Sequence, residues 1–354
     1  MSERSDLRAS SAAIPSAAIY GCAGLTLSAS EAAFFRAADP FGFILFARNC
    51  ESPEQVRDLV AALRASVGRD DAPVLIDQEG GRVARLKPPH WRAAPPAAFF
   101  GRMASHDRHR AHEALRLNTQ LIALELTDLG IDVDCVPLLD LQFPGAHDVI
   151  GDRAFGSDPE LVADLGRVVC DAMLAAGVMP IVKHIPGHGR ARVDSHKELP
   201  VVDTGASELE ASDFRPFRAL ADAPWAMTAH VVYSALDAAR PATTSRSLID
   251  GTIRGHIGFD GLLLSDDLSM EALKGSLGER AEGALGAGCD VALHCNGKAE
   301  EMEQVAAAVG PLTAEAQRRI AAARARLGRP PLGQPGAVDR VALQRRLDGL
   351  MNIA

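Results

Sequence analysis

The sequence predicts an α/β fold, namely a (β/α)8 barrel of the TIM type that forms a single domain with a helical extension at its C-terminus. Eight short apolar runs rich in Val, Ile and Leu alternate with amphipathic segments of helical period. The runs lack strict alternation of polar and apolar residues, which is typical of parallel strands buried on both faces. Doubly wound sheets usually stop at about seven strands, so eight units favour a closed barrel. The length of 354 residues is within the range of single-domain barrels.

The predicted strands and helices follow one another along the chain. The strands fall at residues 17–24, 42–49, 73–81, 131–141, 178–188, 225–233, 261–270 and 289–297. One helix opens at Ser28, and another has Ser52 as N-cap, Pro53 as first helical residue and Gly68 at its end. Further helices are predicted from about His109 to Gly130, from Asp158, at 299–309 and at 313–327.

The end of the chain differs from the β/α units. Residues 328–337 are rich in Pro and Gly, and the tail that follows has Val341, Leu343, Leu347 and Leu350 at helical spacing. We therefore assign residues 1–327 to the barrel domain and 328–354 to a linker and a C-terminal helix. The apolar face of this helix can pack on a partner subunit or on its own barrel, and we favour the barrel.

Composition narrows the class of partner. The net charge of -9 argues against nucleic acid or an anionic membrane, because such binding needs clustered Lys and Arg. The six cysteines are dispersed, which is typical of buried, reduced thiols. We find neither a secretory signal nor an apolar stretch of about 18 residues, and therefore expect a cytoplasmic protein. The phosphate-loop patterns GxxxxGK(S/T) and GxGxxG do not follow any strand, so we expect a small-molecule partner and no cofactor.

Polar residues gather at the C-terminal ends of the predicted strands, which meet at the mouth of a barrel where barrel enzymes carry their active sites. They are Asp77, Asp140, Lys183, His184, His230, Asp266 and Asn296. The stretch IVKHIPGHGRARVDSHKELP, residues 181–200, adds titratable groups around Gly187 and Gly189, a pattern that predicts a mobile, glycine-hinged loop. Asp194 stands two residues before His196 and can fix the tautomer of its imidazole, leaving the other nitrogen free to move a proton.

A metal site is the main alternative for this loop. His184, His188 and His196, together with Asp194, carry groups that can bind zinc. Their spacing does not match the helical HExxH pattern, and a glycine-rich loop is a poor rigid cage, so we predict no metal. His188 has a further alternative, that of a structural histidine.

Two further motifs supply candidate residues, each with a structural alternative. The run GLLLSDDLSM ends in Asp266 and Asp267, of which only one can point at the barrel axis because side chains alternate along a strand. The pair could instead cap a helix formed by SMEALKGS. Asp77 and Arg85 in IDQEGGRVARL, and Arg153 in VIGDRAFGSDPE, could bind substrate, although surface arginines remain an alternative.

Taken together, IDQEGGRV, DRAFG, KHIPGHGRARVDSH and SDDLSM resemble the motifs of the family 3 glycoside hydrolases, and most closely its single-domain bacterial β-N-acetylglucosaminidases of peptidoglycan recycling. The resemblance covers about residues 17 to 327. It implies that Asp266 is the nucleophile and that His196, assisted by Asp194, is the general acid/base. It also implies a set of substrate-binding residues, namely Asp77, Arg85, Arg153, Lys183 and His184. The chain departs from the family pattern after PGHG, where Arg190 and Ala191 replace the usual Asp-Thr.

The implied activity is that of a retaining exo-β-N-acetylhexosaminidase that removes terminal GlcNAc from GlcNAc-β-1,4-anhydro-MurNAc, with or without attached peptide. A retaining glycosidase needs an ionised carboxylate and a proton donor, which agrees with the residues found. A β-N-acetylglucosamine phosphorylase is the alternative on the same scaffold, and substrate assistance by the acetamido group is an alternative mechanism. From other classes, an inactive sugar-binding barrel and a zinc hydrolase remain as further hypotheses.

Overall fold

The computed structural model of the protein describes residues 13–328 and 339–351. Its strands are β1 (Ser16–Gly21), β2 (Pro40–Leu45), β3 (Val74–Ile76), β4 (Val133–Asp134), β5 (Met179–Ile185), β6 (Val201–Val202), β7 (Trp225–Thr228), β8 (Val232–Tyr233), β9 (Leu262–Asp267) and β10 (Val291–His294). Within these residues, eight parallel strands close into a barrel in the order β1-β10-β9-β7-β5-β4-β3-β2, and β6 and β8 form a separate two-stranded sheet. Each predicted run overlaps one barrel strand, so the predicted (β/α)8 barrel is confirmed.

Helices surround the barrel. In the described part of the chain they are α1 (Ala29–Ala38), α2 (Pro53–Val67), α3 (Ala97–His106), α4 (Arg108–Asp128), α5 (Pro159–Ala175), α6 (Ala206–Ala211), α7 (Arg215–Ala219), α8 (Arg246–Leu248), a π-helix (Ile249–His256), α9 (Leu277–Ala287), α10 (Ala299–Ala308), α11 (Ala314–Arg324) and α12 (Arg340–Met351). None of these helices has both the length and the apolar character that crossing a membrane would require.

The local capping signals hold at the helices where they were clearest. The side chain of Ser28 accepts a hydrogen bond from the backbone N–H of Glu31 at the start of α1, and Ser52 caps α2 in the same way. The alternative in which Asp266 and Asp267 cap a helix formed by SMEALKGS is wrong, because residues 268–275 are not helical and α9 begins only after the N-cap Ser276. Helix α3 was missed, and its N-cap, Pro96, makes no side-chain capping bond that would mark the start.

The barrel strands are buried on both faces, and alternate residues of a strand enter different parts of the core. Along β9, Leu262 and Leu264 join the cluster inside the barrel, whereas Leu263 joins the cluster between strands and helices. This alternation sets the direction of the side chains at the end of the strand, and therefore determines which of the two consecutive aspartates faces the axis.

The C-terminal helix α12 packs against α4 of the same chain, as we favoured from the sequence. Leu347 is fully buried there, and Arg346 forms an ion pair with Glu113. Arg110 on α4 donates a 2.8 Å hydrogen bond from Nε to the carbonyl of Leu350. The linker that we predicted at 328–337 lies, apart from Gly328, outside the described residues.

Candidate active site

A cavity of about 320 Å³ opens at the carboxyl ends of the barrel strands. The eight residues that the family resemblance implies for the site all line it, namely Asp77, Arg85, Arg153, Lys183, His184, Asp194, His196 and Asp266. Three other strand-end residues noted in the sequence, Asp140, His230 and Asn296, do not line this cavity. They come from strand ends and loops far apart in the chain, and the closure of the barrel brings them together. The expected clustering is therefore present, whereas the role of each residue stays a prediction.

Asp266 is the aspartate that faces the barrel axis. It lies two residues beyond Leu264, whose side chain is inside the barrel, and its own side chain lines the cavity. The carboxylate of Asp267 is occupied elsewhere, since it accepts hydrogen bonds from the backbone N–H of Ser269 at 3.0 Å and of Cys295 at 3.1 Å. Asp267 thus ties the turn after β9 to the next strand and caps no helix.

The surroundings of Asp266 keep its carboxylate ionised. Burial alone would raise its pKa, but His184 and then His230 lower the pKa below its ordinary value of 3.8. Nε2 of His184 lies 4.0 Å from Oδ2 of Asp266, and Oδ1 accepts a 2.8 Å hydrogen bond from the backbone N–H of Asp267. With only 16% of its side chain exposed, Asp266 is a fixed and charged nucleophile candidate.

Asp140 holds His184 in place, a role that we did not assign from the sequence. Its Oδ2 lies 2.7 Å from Nδ1 of His184, and its Oδ1 accepts a 2.6 Å hydrogen bond from the backbone N–H of His188. Burial opposes ionisation of Asp140, but the two histidines lower its pKa. The Nδ1 contact leaves Nε2 of His184 directed toward Asp266. The only sequence signal was the position of Asp140 at the end of a predicted strand.

A buried network of alternating charges, called the charged wall below, lies on one side of the cavity and consists of Asp77, Glu79, Arg85, Arg153 and Lys183. Nζ of Lys183 lies 2.7 Å from Oδ1 of Asp77 and 2.7 Å from Oε1 of Glu79. Nη2 of Arg85 donates to Asp77 at 2.9 Å, and Arg153 donates two hydrogen bonds of 2.8 Å to Glu79. Sequence reasoning missed Glu79, although it stands inside the motif IDQEGG, because no local pattern reveals its two distant partners.

The opposite charges within this network keep its members ionised despite their burial. Burial would raise the pKa of Asp77, but Lys183 and Arg85 hold it well below the ordinary range. Burial also opposes ionisation of Glu79, yet Arg153 and Lys183 lower its pKa to about 2. The pKa of Lys183 is raised despite burial because both carboxylates face it. The wall therefore presents fixed cations and anions at neutral pH.

Asp194 and His196 form the pair that the sequence predicted. Oδ1 of Asp194 lies 2.7 Å from Nδ1 of His196 and accepts a 3.0 Å hydrogen bond from its backbone N–H. Burial opposes ionisation of Asp194, but the hydrogen bonds from His196 together outweigh it and lower the pKa of Asp194. The side chain of His196 is 63% exposed. Its Nδ1 is thus occupied by a carboxylate, and its Nε2 is available for proton transfer.

His188 is buried beneath this pair. Its Nε2 lies 3.0 Å from Oγ of Ser195, and burial, followed by the charge of His184, lowers the pKa of His188 to about 4. This position matches the structural alternative for His188. Among the described residues, no group of three or more His, Cys, Asp or Glu side chains is arranged to hold a metal ion.

The two glycines of the loop serve close packing. A Cβ at Gly189 would lie 2.0 Å from the carbonyl oxygen of Leu141, and the backbone at Gly187 has a positive φ of 144°. The hydroxyl of Tyr233 donates a hydrogen bond to the carbonyl of Gly187. The base of the loop is therefore packed against the barrel, and the need for glycine arises from this contact.

Comparison with known proteins shows which family and which solved structures the chain is similar to. The model of the glycosyl hydrolase family 3 N-terminal domain matches residues 29–329. A β-hexosaminidase of Alkalilimnicola ehrlichii is 42% identical over 285 residues, which are 78% of this chain and 80% of that protein. A β-hexosaminidase of Pseudomonas aeruginosa is 40% identical over 279 residues, with 78% and 81% covered. The crystal structure of NagZ from Neisseria gonorrhoeae in complex with N-trifluoroacetyl-D-glucosamine has a TM-score of 0.84 at 30% identity, covering 96% of this chain and 98% of that one.

Proposed function

The chain belongs to glycosyl hydrolase family 3 and is a β-N-acetylhexosaminidase, and from this premise we propose that it releases terminal β-linked GlcNAc with retention of configuration. The observation that carries the proposal is an ionised, largely buried Asp266 in the same cavity as the Asp194–His196 pair. Retaining glycosidases need a carboxylate nucleophile and a separate proton donor.

In the first step, Asp266 attacks the anomeric carbon of the terminal GlcNAc while His196 protonates the oxygen of the departing sugar. The C–O bond to the leaving group breaks as the ester bond to Asp266 forms. The hydrogen bonding that keeps Nδ1 of His196 on Asp194 presents Nε2 as the proton donor.

In the second step, His196 accepts a proton from water, and the resulting hydroxide oxygen attacks the anomeric carbon of the glycosyl-aspartate. Asp266 leaves as a carboxylate, a form that its neighbours His184 and His230 favour. His196 regains its proton in this step, so the enzyme returns to its starting state.

The charged wall is proposed to bind the sugar. Asp77 can accept hydrogen bonds from sugar hydroxyl groups, and Nε2 of His184 can donate or accept one. Lys183, Arg85 and Arg153 supply fixed donors for hydroxyl and acetamido oxygens. The cavity volume of about 320 Å³ is at the small end of ligand sites, which supports the binding of one terminal residue at a time.

The natural substrate that we propose is GlcNAc-β-1,4-anhydro-MurNAc with or without its peptide, which places the enzyme in peptidoglycan recycling. Support comes from the resemblance of the site motifs and from the similarity to NagZ over nearly the full chain. Hydrolysis of this disaccharide and of its peptide-bearing forms, compared with chitobiose, tests the assignment. Equal kcat/KM for all three would remove the basis for a recycling role.

Asp266→Ala tests the central role directly. We expect hydrolysis of 4-nitrophenyl β-GlcNAc to fall by a factor of about 10³ or more, since no other carboxylate takes over the attack. Trapping the native enzyme with 5-fluoro-β-N-acetylglucosaminyl fluoride should add one sugar to the peptide that contains Asp266. Near-normal turnover by Asp266→Ala would favour assistance by the acetamido group instead. So would the absence of a sugar adduct on the Asp266 peptide after treatment with the fluoride.

A phosphorylase is the second candidate, because the acid/base is a histidine and the cavity carries Lys183, Arg85 and Arg153. An additional carboxylate in the acid/base position would repel phosphate, whereas imidazole and these cations tolerate it. Adding phosphate and analysing the products distinguishes the two reactions. GlcNAc-1-phosphate would identify a phosphorylase, and free GlcNAc at an unchanged rate a hydrolase.

A further inference from the structure

Arg190 connects the loop that carries the acid/base pair to the neighbouring helical segment. Its Nε donates a 2.8 Å hydrogen bond to Oδ2 of Asp213, and its Nη2 donates to Oγ of Ser212 at 3.2 Å. Its Nη1 lies 2.8 Å from Oε1 of Glu208 on α6. Three groups of the guanidinium are thus engaged by residues 208–213, which makes this a specific clamp and not a single surface ion pair.

The other face of Arg190 is also occupied. The guanidinium carbon lies 4.0 Å from the centre of the Phe143 ring, a cation–π arrangement. Next to it, the backbone N–H of His147 donates a 2.8 Å hydrogen bond to the carbonyl of Ala191. Arg190 therefore lies between the loop after β4 and the segment at α6, and it fixes the position of the acid/base loop relative to both.

The contact with Asp213 is the firm part of the clamp. The Asp213 side chain is 2% exposed, whereas that of Glu208 is 63% exposed. A pair with one deeply buried partner is costly to separate, because the buried carboxylate would lose its counter-charge. The exposed pair with Glu208 adds little. Arg190 is therefore expected to remain on Asp213 throughout the catalytic cycle.

The end of the loop that carries His196 has weaker contacts. The carbonyl of Ser195 accepts a 3.3 Å hydrogen bond from the N–H of Ala272, and the carbonyl of His196 accepts one of 3.4 Å from Glu271. Both donors lie in the turn that follows the strand of Asp266. These bonds are long for N–H···O bonds, so the placement of His196 depends strongly on the anchored base of the loop.

We propose that Arg190 is a positioning residue which, through its clamp on Asp213 and Phe143, sets the distance between His196 and the oxygen of the leaving group. The inference rests on the proposed roles of His196 and Asp266. It assigns a function to the residue at which the chain departs from the family pattern, and it predicts that loss of the clamp impairs proton donation more than attack by Asp266.

Leaving groups separate these two effects. A 4-nitrophenolate leaves without protonation, whereas a sugar alcohol needs the acid. For Arg190→Ala, we expect kcat/KM to fall about 10- to 100-fold on a GlcNAc disaccharide and at most about threefold on 4-nitrophenyl β-GlcNAc. Arg192→Ala is the matched control. Arg192 is exposed and makes no hydrogen bond or ion pair within the described residues. Arg192→Ala should therefore keep the wild-type kcat/KM for both substrates.

A double variant tests whether Arg190 acts through His196. In a His196→Ala background, Arg190→Ala should cause no further loss on the disaccharide, because the proton donor is already absent. If Arg190 had a purely structural role, Arg190→Ala would lower kcat/KM equally for both substrates, and its effect would add to the loss from His196→Ala. Either result overturns the proposal. Arg190→Lys keeps the charge and one hydrogen bond and should restore part of the disaccharide activity. It also serves as the test if Arg190→Ala does not fold.

The proposed function fails separately from this inference. If Asp266→Ala keeps wild-type activity, the proposed mechanism is wrong. It is also wrong if His196→Ala lowers kcat/KM equally for substrates with the two leaving groups. If those variants behave as proposed but Arg190→Ala leaves the ratio of the two kcat/KM values at the wild-type value, only the positioning role of Arg190 is wrong.

Discussion

Replacing Lys183 by Met tests the charged wall of the cavity, because Met is similar in length but carries no charge. Lys183 is 2% exposed and bridges Asp77 and Glu79, each at 2.7 Å. Hydrogen bonds to charged groups contribute about 1.5–3 kcal/mol each to stability. Part of their loss is offset because the Met variant does not have to bury an ammonium group. Arg85 and Arg153 remain bound to the two carboxylates. We therefore expect the free energy of unfolding to fall by about 2–4 kcal/mol.

The same substitution should shift the pH at which acid begins to unfold the protein. The pKa of Glu79 is lowered from 4.5 to about 2 in the folded protein, since Arg153 and Lys183 outweigh the effect of burial. A lowered folded pKa means that the ionised group stabilises the fold fully above pH 4.5 and that this stabilisation is lost as the pH falls toward 2. Without Lys183 the folded pKa rises, so acid unfolding should begin at a higher pH.

Urea unfolding at pH 7 and at pH 4 measures both effects, with Lys87→Met as the control because Lys87 is exposed. A loss below about 0.5 kcal/mol at pH 7, the range of ordinary surface substitutions, would show that the network contributes little to stability. Unchanged acid unfolding would refute the coupling between Lys183 and Glu79.

Three further changes test other parts of the structure. Gly189→Ala should lower kcat/KM by about 100-fold by pushing the loop away from Leu141, whereas Gly205→Ala, with open space around its Cβ, should not. Leu347→Ala should cost about 2–5 kcal/mol in urea unfolding if α12 packs as described. Burial lowers the pKa of His188 from 6.5 to about 4, so the free energy of unfolding decreases as the pH falls from 6.5 to 4. His188→Asn should therefore flatten the dependence of this free energy on pH in that interval. An unchanged slope would contradict the burial argument.

The sequence predicted the barrel well because its signals are local. A strand buried on both faces requires a continuous apolar run, and the capping residues Ser28 and Ser52 act within one turn of their helices. The sequence left a helix open as an alternative for the turn after Asp266, because the conformation of this turn depends on contacts with distant residues. Asp267 accepts from the backbone of Cys295 on the neighbouring loop, and no local pattern reveals that contact.

The sequence predicted the residues that line the cavity, but it did not predict that Asp140 and Glu79 hold several of them in place. Asp140 and Glu79 contact their partners across 44 and 74 or more residues, so their pairing appears only when the barrel closes. The glycines of the loop were interpreted as hinges because flexibility is their commonest use. The close approach of Gly189 to Leu141 is a tertiary contact that the sequence does not encode locally.

The two proposed catalytic side chains are held in different ways, and this difference follows from what each must do. Asp266 ends a barrel strand and is 16% exposed, and in the proposed mechanism it attacks a terminal sugar bound in one fixed place. His196 is 63% exposed on a loop, and in the proposed mechanism it faces a leaving group that departs and is replaced by water. A rigid nucleophile favours one terminal sugar, whereas a proton donor on a clamped loop accommodates leaving groups of different size. Substitutions that alter the preference for the leaving group should therefore concentrate in the loop and at Arg190, and those that alter the terminal sugar in the charged wall.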